Sequence, residues 1–146
     1  MTDELALLCK ACGLCCDGSL FGRVDLEPEE VGAARKARLR VVPSATAFEQ
    51  PCAALSGVDP VPRPKSRARE RRCAVYDDRP RACRRFLCRL HERHRVEGGP
   101  LEDRLAAVRR VRALLAALAA GGGVMPAHEY RELTTRLEAD FARASE

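Results

Sequence analysis

The stretch CKACGLCC, at residues 9–16, places four cysteines within eight residues. A two-residue spacing lets successive thiolates turn toward one ion, which is why this spacing recurs in zinc and iron–sulfur sites. A second cysteine group lies at residues 73–88, CAVYDDRPRACRRFLC, and Cys52 stands between the two groups. The pattern predicts that all eight cysteines are metal ligands. They are Cys9, Cys12, Cys15, Cys16, Cys52, Cys73, Cys83 and Cys88.

Other roles for the cysteines remain open. Inert buried thiols are common among isolated cysteines, but this group is dense. A catalytic thiol needs a basic neighbour that lowers its pKa, and Arg84 or His91 meets that need. Disulfides are disfavoured, because the acidic start MTDEL at residues 1–5 does not resemble a secretory signal. We therefore expect a cytoplasmic location, where reducing conditions favour metal ligation over disulfides.

The adjacent pair Cys15 and Cys16 bears on the number of centres. Neighbouring side chains of an extended chain point to opposite faces, so these two thiols are not expected to share one mononuclear ion. They would serve two centres or two atoms of one cluster. Our hypothesis is that the N-terminal loop supplies ligands to both centres, since eight thiols suffice for two four-thiolate sites.

The fold is predicted to be mainly α, with a small α+β fold as the alternative. The 146 residues fit a single domain, 1–146. Residues 9–95 are predicted to be a metal-organised, cysteine-rich part with short strands, and residues 57–72 within it a flexible basic loop rich in proline. Residues 101–143 are predicted to form a C-terminal helical hairpin, because apolar residues recur there at helical spacing around the glycines at 121–123.

Shorter elements are predicted between the cysteines. Residues 25–39 favour a helix, because Pro28 suits a first turn and the acidic residues around it complement the helix dipole. Residues 41–42 and 73–76 are strand candidates. Residues 80–94 are predicted to form one helix that Pro80 opens.

Basic residues are concentrated in one tract of the chain. The net charge is +5, and residues 63–95 carry thirteen basic and four acidic residues. Such a tract is an electrostatic footprint for nucleic acid, but aromatic residues for base stacking are scarce. We favour a shell that compensates anionic thiolates, and nucleic acid is not expected as a partner. The dominance of Arg over Lys, with many Ala, indicates a GC-rich bacterial genome.

Together, the two cysteine groups resemble the YkgJ-like cysteine-cluster family, known by its CxxCxxCC motif and described as a zinc- or iron-chelating domain. Residues 9–16 match that motif, and residues 73–88 match the pattern C-x2-Y-x2-R-P-x2-C-R-x-F-x-C. The resemblance covers roughly residues 9–88 and includes Cys52. It implies a metal site, without naming the metal or a reaction. Related clusters occur beside flagellin lysine methylation, which keeps a redox or modification role open.

The chain also departs from that family pattern. Twenty residues separate Cys52 from Cys73, where the family has a short link, and the helices after residue 100 lie outside the motif. For these two segments the family pattern makes no prediction.

Residues between the cysteines are expected to tune the site. A four-thiolate zinc site has a net charge of about −2, so Arg79 and Arg84 are predicted to donate hydrogen bonds to sulfur. Tyr76 is predicted to cover the site. His91 and His94 follow Cys88 at helical spacing, which would let them face a metal; a solvated helix end is the alternative.

Three classes of function remain. The first is a zinc- or iron-binding protein with one or two thiolate-ligated centres, and the second is an iron–sulfur protein in electron transfer or redox-assisted protein modification. The third is a basic zinc module that associates with nucleic acid. No catalytic residue is predicted, because no phosphate loop, dinucleotide fingerprint or HExxH motif occurs. The expected partners are the metal ion and, through the C-terminal helices, another protein or a second copy; no membrane span is expected.

Overall fold

The computed structural model describes residues 3–56 and 72–144, and within these ranges the chain is mainly helical. The helices are α1 Asp3–Cys12, α2 Val31–Lys36, α3 Arg81–Arg85, α4 Arg89–Glu97, α5 Leu101–Ala120 and α6 Ala127–Arg136. The strands are β1 Arg23–Asp25, β2 Ala47–Glu49, β3 Leu55–Ser56 and β4 Arg72–Cys73. Short 3-10 turns occupy Pro28–Glu30 and Tyr76–Asp78, and a π-turn occupies Leu137–Phe141. The predicted mainly α fold with a small β part is confirmed.

The chain divides into two compact units. One, here called the helical unit, includes residues 3–12 and 87–144 of the described chain. The other, here called the cysteine unit, includes residues 13–56 and 72–86. The prediction of a single domain over 1–146 stays a prediction, because the compactness of each unit does not decide whether they fold together.

The helical unit is held together by an apolar core to which all of its helices contribute. α5 packs against α1 and α6, and α4 packs against α1 and the π-turn. Each side chain in this core is at most a few per cent exposed, which is how aliphatic burial stabilises a helical bundle. The core residues are Leu5, Leu8, Leu90, Val108, Val111, Leu114, Leu133 and Phe141.

The C-terminal hairpin is present as predicted. α5 ends at Ala120, and the glycines at 122 and 123 have positive φ angles that reverse the chain. α6 then packs back along α5, and the Arg110 guanidinium pairs with the Glu132 carboxylate between the two helices.

Two local predictions for the helices were wrong. Cys9 and Cys12 lie in α1 and not in a loop, because Leu5 and Leu8 continue a buried helical stripe up to Gly13. The single helix at 80–94 is two helices, α3 and α4, with extended residues between them. Cys88 pairs as an isolated bridge with Arg143, and the hydrogen bonds of that bridge hold the backbone out of the helical conformation.

The cysteine unit has a small core beneath short antiparallel strands. β1 pairs with β2 in a register that sets Val24 opposite Phe48, and β3 pairs with β4 with Leu55 opposite Cys73. Phe48 is 1% exposed and is the largest side chain of the core, which also contains Leu26, Ala34, Leu39 and Ala54.

Three further predictions fall in this unit. The helix expected over 25–39 is shorter, because Asp25 pairs in β1 and the helical residues begin at Pro28. The strand candidate at 41–42 contributes only a bridge from Val41 to Phe48. The loop predicted at 57–72 lies outside the described residues except Arg72, which pairs in β4.

No helix of the described ranges combines the length and the apolar character needed to cross a membrane. The longest, α5, carries arginines along its length.

Candidate metal centre

The turn at Gly13–Cys16 brings the adjacent thiols of Cys15 and Cys16 together. Gly13 has a φ of 62°, and its carbonyl accepts hydrogen bonds from the N–H groups of Cys16 and Asp17, each at 3.1 Å. The two sulfur atoms are 3.7 Å apart. The expectation that these neighbouring side chains point to opposite faces was wrong, because it assumed an extended chain where the structure has a tight turn.

The segment around Cys52 is hydrogen-bonded to this turn. The Cys52 N–H donates to the Cys16 carbonyl at 2.8 Å, and the Gln50 side-chain amide donates to the Cys15 carbonyl at 3.2 Å. Cys52 therefore lies next to the Cys15–Cys16 pair although the two are more than thirty residues apart in sequence. Sequence reasoning missed Gln50, whose contact depends on this long-range packing.

Cys73 and Cys83 come from the second half of the unit. Cys73 ends β4 and pairs with Leu55, three residues after Cys52. Cys83 lies in α3 and packs, as Cys52 does, against the Phe48 core. The cysteine unit thus gathers five of the eight predicted ligands from four segments of the chain.

The electrostatics of the five thiols show that they influence one another. The hydrogen bond from Cys16 lowers the pKa of Cys15, and the same bond raises the pKa of Cys16. Burial raises the pKa of Cys83 to about 12, with further contributions from Cys52, Cys15 and Cys73. Burial also raises the pKa of Cys52. A metal ion that bound these thiols would have to displace their protons, so binding would strengthen as the pH rises.

Arg79 is the positive group beside these thiols. The hydrogen bond from Cys16 is the main cause of the lowered pKa of Cys15, and the charge of Arg79 adds to it; at Cys83 burial raises the pKa, and the charge of Arg79 opposes that rise without reversing it. Its Nε donates to the Tyr76 carbonyl at 2.8 Å, and its guanidinium carbon lies 3.9 Å from the centre of the Tyr76 ring. Tyr76, half-buried, therefore positions Arg79. The Arg84 side chain is exposed on α3, and its predicted hydrogen bond to sulfur stays a prediction.

The start of α3 is held by an acidic residue whose role the sequence did not reveal. The Glu30 carboxylate accepts a hydrogen bond from the Arg81 N–H at 2.9 Å, and Glu29 pairs with the Arg81 side chain at 3.6 Å. The carboxylate at this N–H, behind Pro80, anchors the helix that carries Cys83.

The other three cysteines belong to the helical unit. Cys9 is exposed and Cys12 is partly exposed on α1, and Cys88 precedes the first turn of α4. The Cys88 sulfur accepts a hydrogen bond from the His91 N–H at 3.4 Å. His91 and His94 are both buried, so the solvated helix end considered as an alternative was wrong. The His94 Nε2 lies 3.1 Å from the Glu4 carboxylate.

The fit of these side chains to a metal is partial. Two thiolates bound at about 2.3 Å to one tetrahedral ion lie about 3.8 Å apart, which is close to the 3.7 Å between Cys15 and Cys16. Over residues 3–56 and 72–144, however, no three His, Cys, Asp or Glu side chains are already arranged to hold an ion. The pair fits as it stands, and the remaining thiols would need to rotate inward.

Neither a protein-family model nor a curated protein or solved structure matches this chain.

Proposed function

We propose that this protein binds zinc or iron through cysteine thiolates, with one centre in the cysteine unit. The observation that carries the proposal is the Cys15–Cys16 pair, whose sulfur separation of 3.7 Å suits a single tetrahedral ion. Cys52 is hydrogen-bonded to the same turn, and Cys73 and Cys83 complete the set of candidate ligands. Thiolate sulfur is a soft donor that suits zinc and iron–sulfur centres.

Charge compensation supports the same proposal. Four thiolates around a divalent ion leave a net charge of about −2 in a partly buried site. Arg79 already acts on Cys15 and Cys83, and its stacking on Tyr76 fixes its position. Its role would be to stabilise the thiolates from outside the ligand set.

Identifying the bound metal would decide between a zinc site and an iron–sulfur cluster. The resemblance to the YkgJ-like family covers both metals, and an iron–sulfur protein in electron transfer or redox-assisted modification is the second candidate. The cysteine unit contains five thiols, one more than the four that either a zinc ion or a common iron–sulfur cluster needs, so both kinds of centre would leave one thiol spare. A thiolate centre of either kind is consistent with the proposed reducing, cytoplasmic location.

The nucleic-acid class receives less support from the structure. Three arginines of the basic tract pair with carboxylates of their own unit: Arg81 with Glu29, Arg93 with Asp140, and Arg95 with Glu92. These charges stabilise the fold locally.

Metal counting on matched variants tests the proposal. Cys16→Ser and Cys83→Ser should each lower the zinc or iron content of the purified full chain. Ala53→Ser and Ala74→Ser, at exposed positions beside Cys52 and Cys73, add the same hydroxyl without removing a thiol and should retain the metal. Equal metal content in all four variants would overturn the proposal.

A further inference from the structure

The thiols of Cys15 and Cys16 are in contact and accessible to a small reagent. Their sulfur atoms lie 3.7 Å apart, and both residues are partly exposed. Among the described thiols of the cysteine unit, this is the one pair for which the structure gives a sulfur–sulfur contact. A metal needs ligands beyond this pair, whereas a covalent bond between the two sulfurs needs only that they approach to about 2.05 Å.

Hydrogen bonds on both sides of the pair hold its backbone. The Cys16 N–H donates to the Gly13 carbonyl at 3.1 Å, and the Cys16 carbonyl accepts from the Cys52 N–H at 2.8 Å. The Cys15 carbonyl accepts from the Gln50 side-chain amide at 3.2 Å. The fold therefore keeps the two thiols side by side. Holding two reacting groups in place in this way makes the step between them effectively unimolecular.

A disulfide between these adjacent residues would be strained. A trans peptide sets consecutive Cα atoms about 3.8 Å apart, below the range of about 4.4–6.8 Å that is usual for disulfides. Strain makes a disulfide easier to reduce, and labile disulfides are the regulatory or catalytic ones. A bond at this pair would therefore form on oxidation and be removed again by cellular thiols, as transient disulfides are in reducing compartments.

We propose that Cys15 and Cys16 are a reversible oxidation site, at which a hydroperoxide such as hydrogen peroxide converts the two thiols to a vicinal disulfide. One sulfur attacks a peroxide oxygen, the O–O bond breaks, and the thiol proton leaves with the departing oxygen as water. The sulfenic acid that remains is attacked by the neighbouring thiol, which forms the S–S bond and releases a second water. The two thiols lose two electrons, and one hydrogen peroxide is reduced to two waters.

This oxidation needs only the two thiols, so it does not depend on the metal centre proposed above. Its consequence for that centre does rest on the proposed function: a disulfide would withdraw both thiolates from a bound metal, and oxidation would release the metal. Measuring the metal content of each sample before oxidation keeps the two claims apart, because the disulfide is detected in the peptide whether or not metal was bound.

Peptide mapping of the folded full chain, purified reduced and then freed of reductant, tests the proposal. Hydrogen peroxide is added, free thiols are alkylated, and the chain is digested with a protease that cuts after leucine. Residues 15–20, CCDGSL, follow Leu14 and contain only these two cysteines. The proposal predicts this peptide without alkyl groups and lighter by two hydrogen atoms. Reduced glutathione, added before alkylation, should restore the doubly alkylated form.

Two comparisons separate the folded turn from adjacency in sequence. The yield of the disulfide should fall severalfold when the same oxidation is run on the chain unfolded in guanidinium, because the turn is then absent. It should persist in Cys52→Val, which removes the thiol beside the turn and keeps an apolar side chain against the Phe48 core. Equal yields in the folded and unfolded chains would overturn the proposal. So would two alkylated thiols after peroxide, a disulfide to another cysteine instead, or resistance to glutathione.

Discussion

The helical unit and the cysteine unit have different sources of order. In the helical unit, α5 alone is 20 residues long, and aliphatic side chains from every helix fill a shared core. In the described part of the cysteine unit, the longest helix, α2, has six residues and the strands have two or three. Elements this short do not persist without partners. The helical unit therefore has long helices that pack on one another, whereas the short elements of the cysteine unit depend on their contacts around the Phe48 core.

The largest effect predicted from this comparison is that of metal removal. A strong chelator with reductant should unfold the cysteine unit and leave most helices of the helical unit in place, because only the latter has long, packed helices. Hydrogen exchange read by mass spectrometry should show protection lost in peptides covering 23–49 and kept in peptides covering 101–120. Equal loss in both regions, or loss in neither, would contradict the comparison.

The second prediction concerns the two buried phenylalanines. Phe141→Ala and Phe48→Ala should each cost about 3–5 kcal/mol of unfolding free energy, since both side chains are at most 2% exposed. The Phe141 variant should be destabilised with or without metal. Added zinc should partly restore the unfolding free energy that the Phe48 variant loses, because the proposed metal site lies in the same unit as Phe48. Denaturant melts in both conditions measure this. Leu7→Ala, at a half-exposed position of α1, is the control and should have a small effect.

The third prediction tests the charged contact inside the helical unit. The Asp140 carboxylate is nearly buried and accepts a hydrogen bond from Arg93 at 2.8 Å. Asp140→Ala leaves the guanidinium without this acceptor and should cost about 1–3 kcal/mol. Thermal unfolding should show that loss at any metal level. Glu102→Ala, in an exposed pair with Arg109, should leave the melting temperature unchanged. If Glu102→Ala lowered the melting temperature as much as Asp140→Ala, burial would not explain the strength of the Arg93–Asp140 contact.

The smallest predicted effect sharpens the account of the cysteine unit. Arg79→Ala should weaken zinc affinity about tenfold, the lower end of the effects seen when groups behind metal ligands are removed. Competition with a colorimetric chelator measures this. Arg84→Ala, at an exposed position of the same unit, should weaken affinity less. The reverse order would show that Arg84 is the compensating charge and that the Arg79–Tyr76 stack is only structural.

The sequence predicted the parts of the fold that local periodicity governs. The hairpin of α5 and α6 follows from apolar spacing and a glycine stop, both of which are local signals. The break between α3 and α4 could not be read in the same way, because it depends on the bridge from Cys88 to Arg143. A contact between residues so far apart leaves no mark in the spacing of either segment.

The candidate site shows the same limit. Residue type and spacing predicted the cysteines as metal ligands. The short distance between the Cys15 and Cys16 sulfurs, however, depends on the positive φ of Gly13. The glycine between the cysteines is a local signal for such a turn, whereas the expectation of opposite faces holds only for an extended chain. The pairing of Glu4 with His94, across ninety residues, had no local signal.

The most direct test of the central claim is elemental analysis and a visible spectrum of one sample of the full chain, purified anaerobically without added metal. The account predicts bound zinc in a colourless protein, or iron with acid-labile sulfide in a brown one, with the content of either metal lowered in Cys16→Ser. A folded chain with neither metal, and with no uptake of zinc or iron on addition, would contradict it.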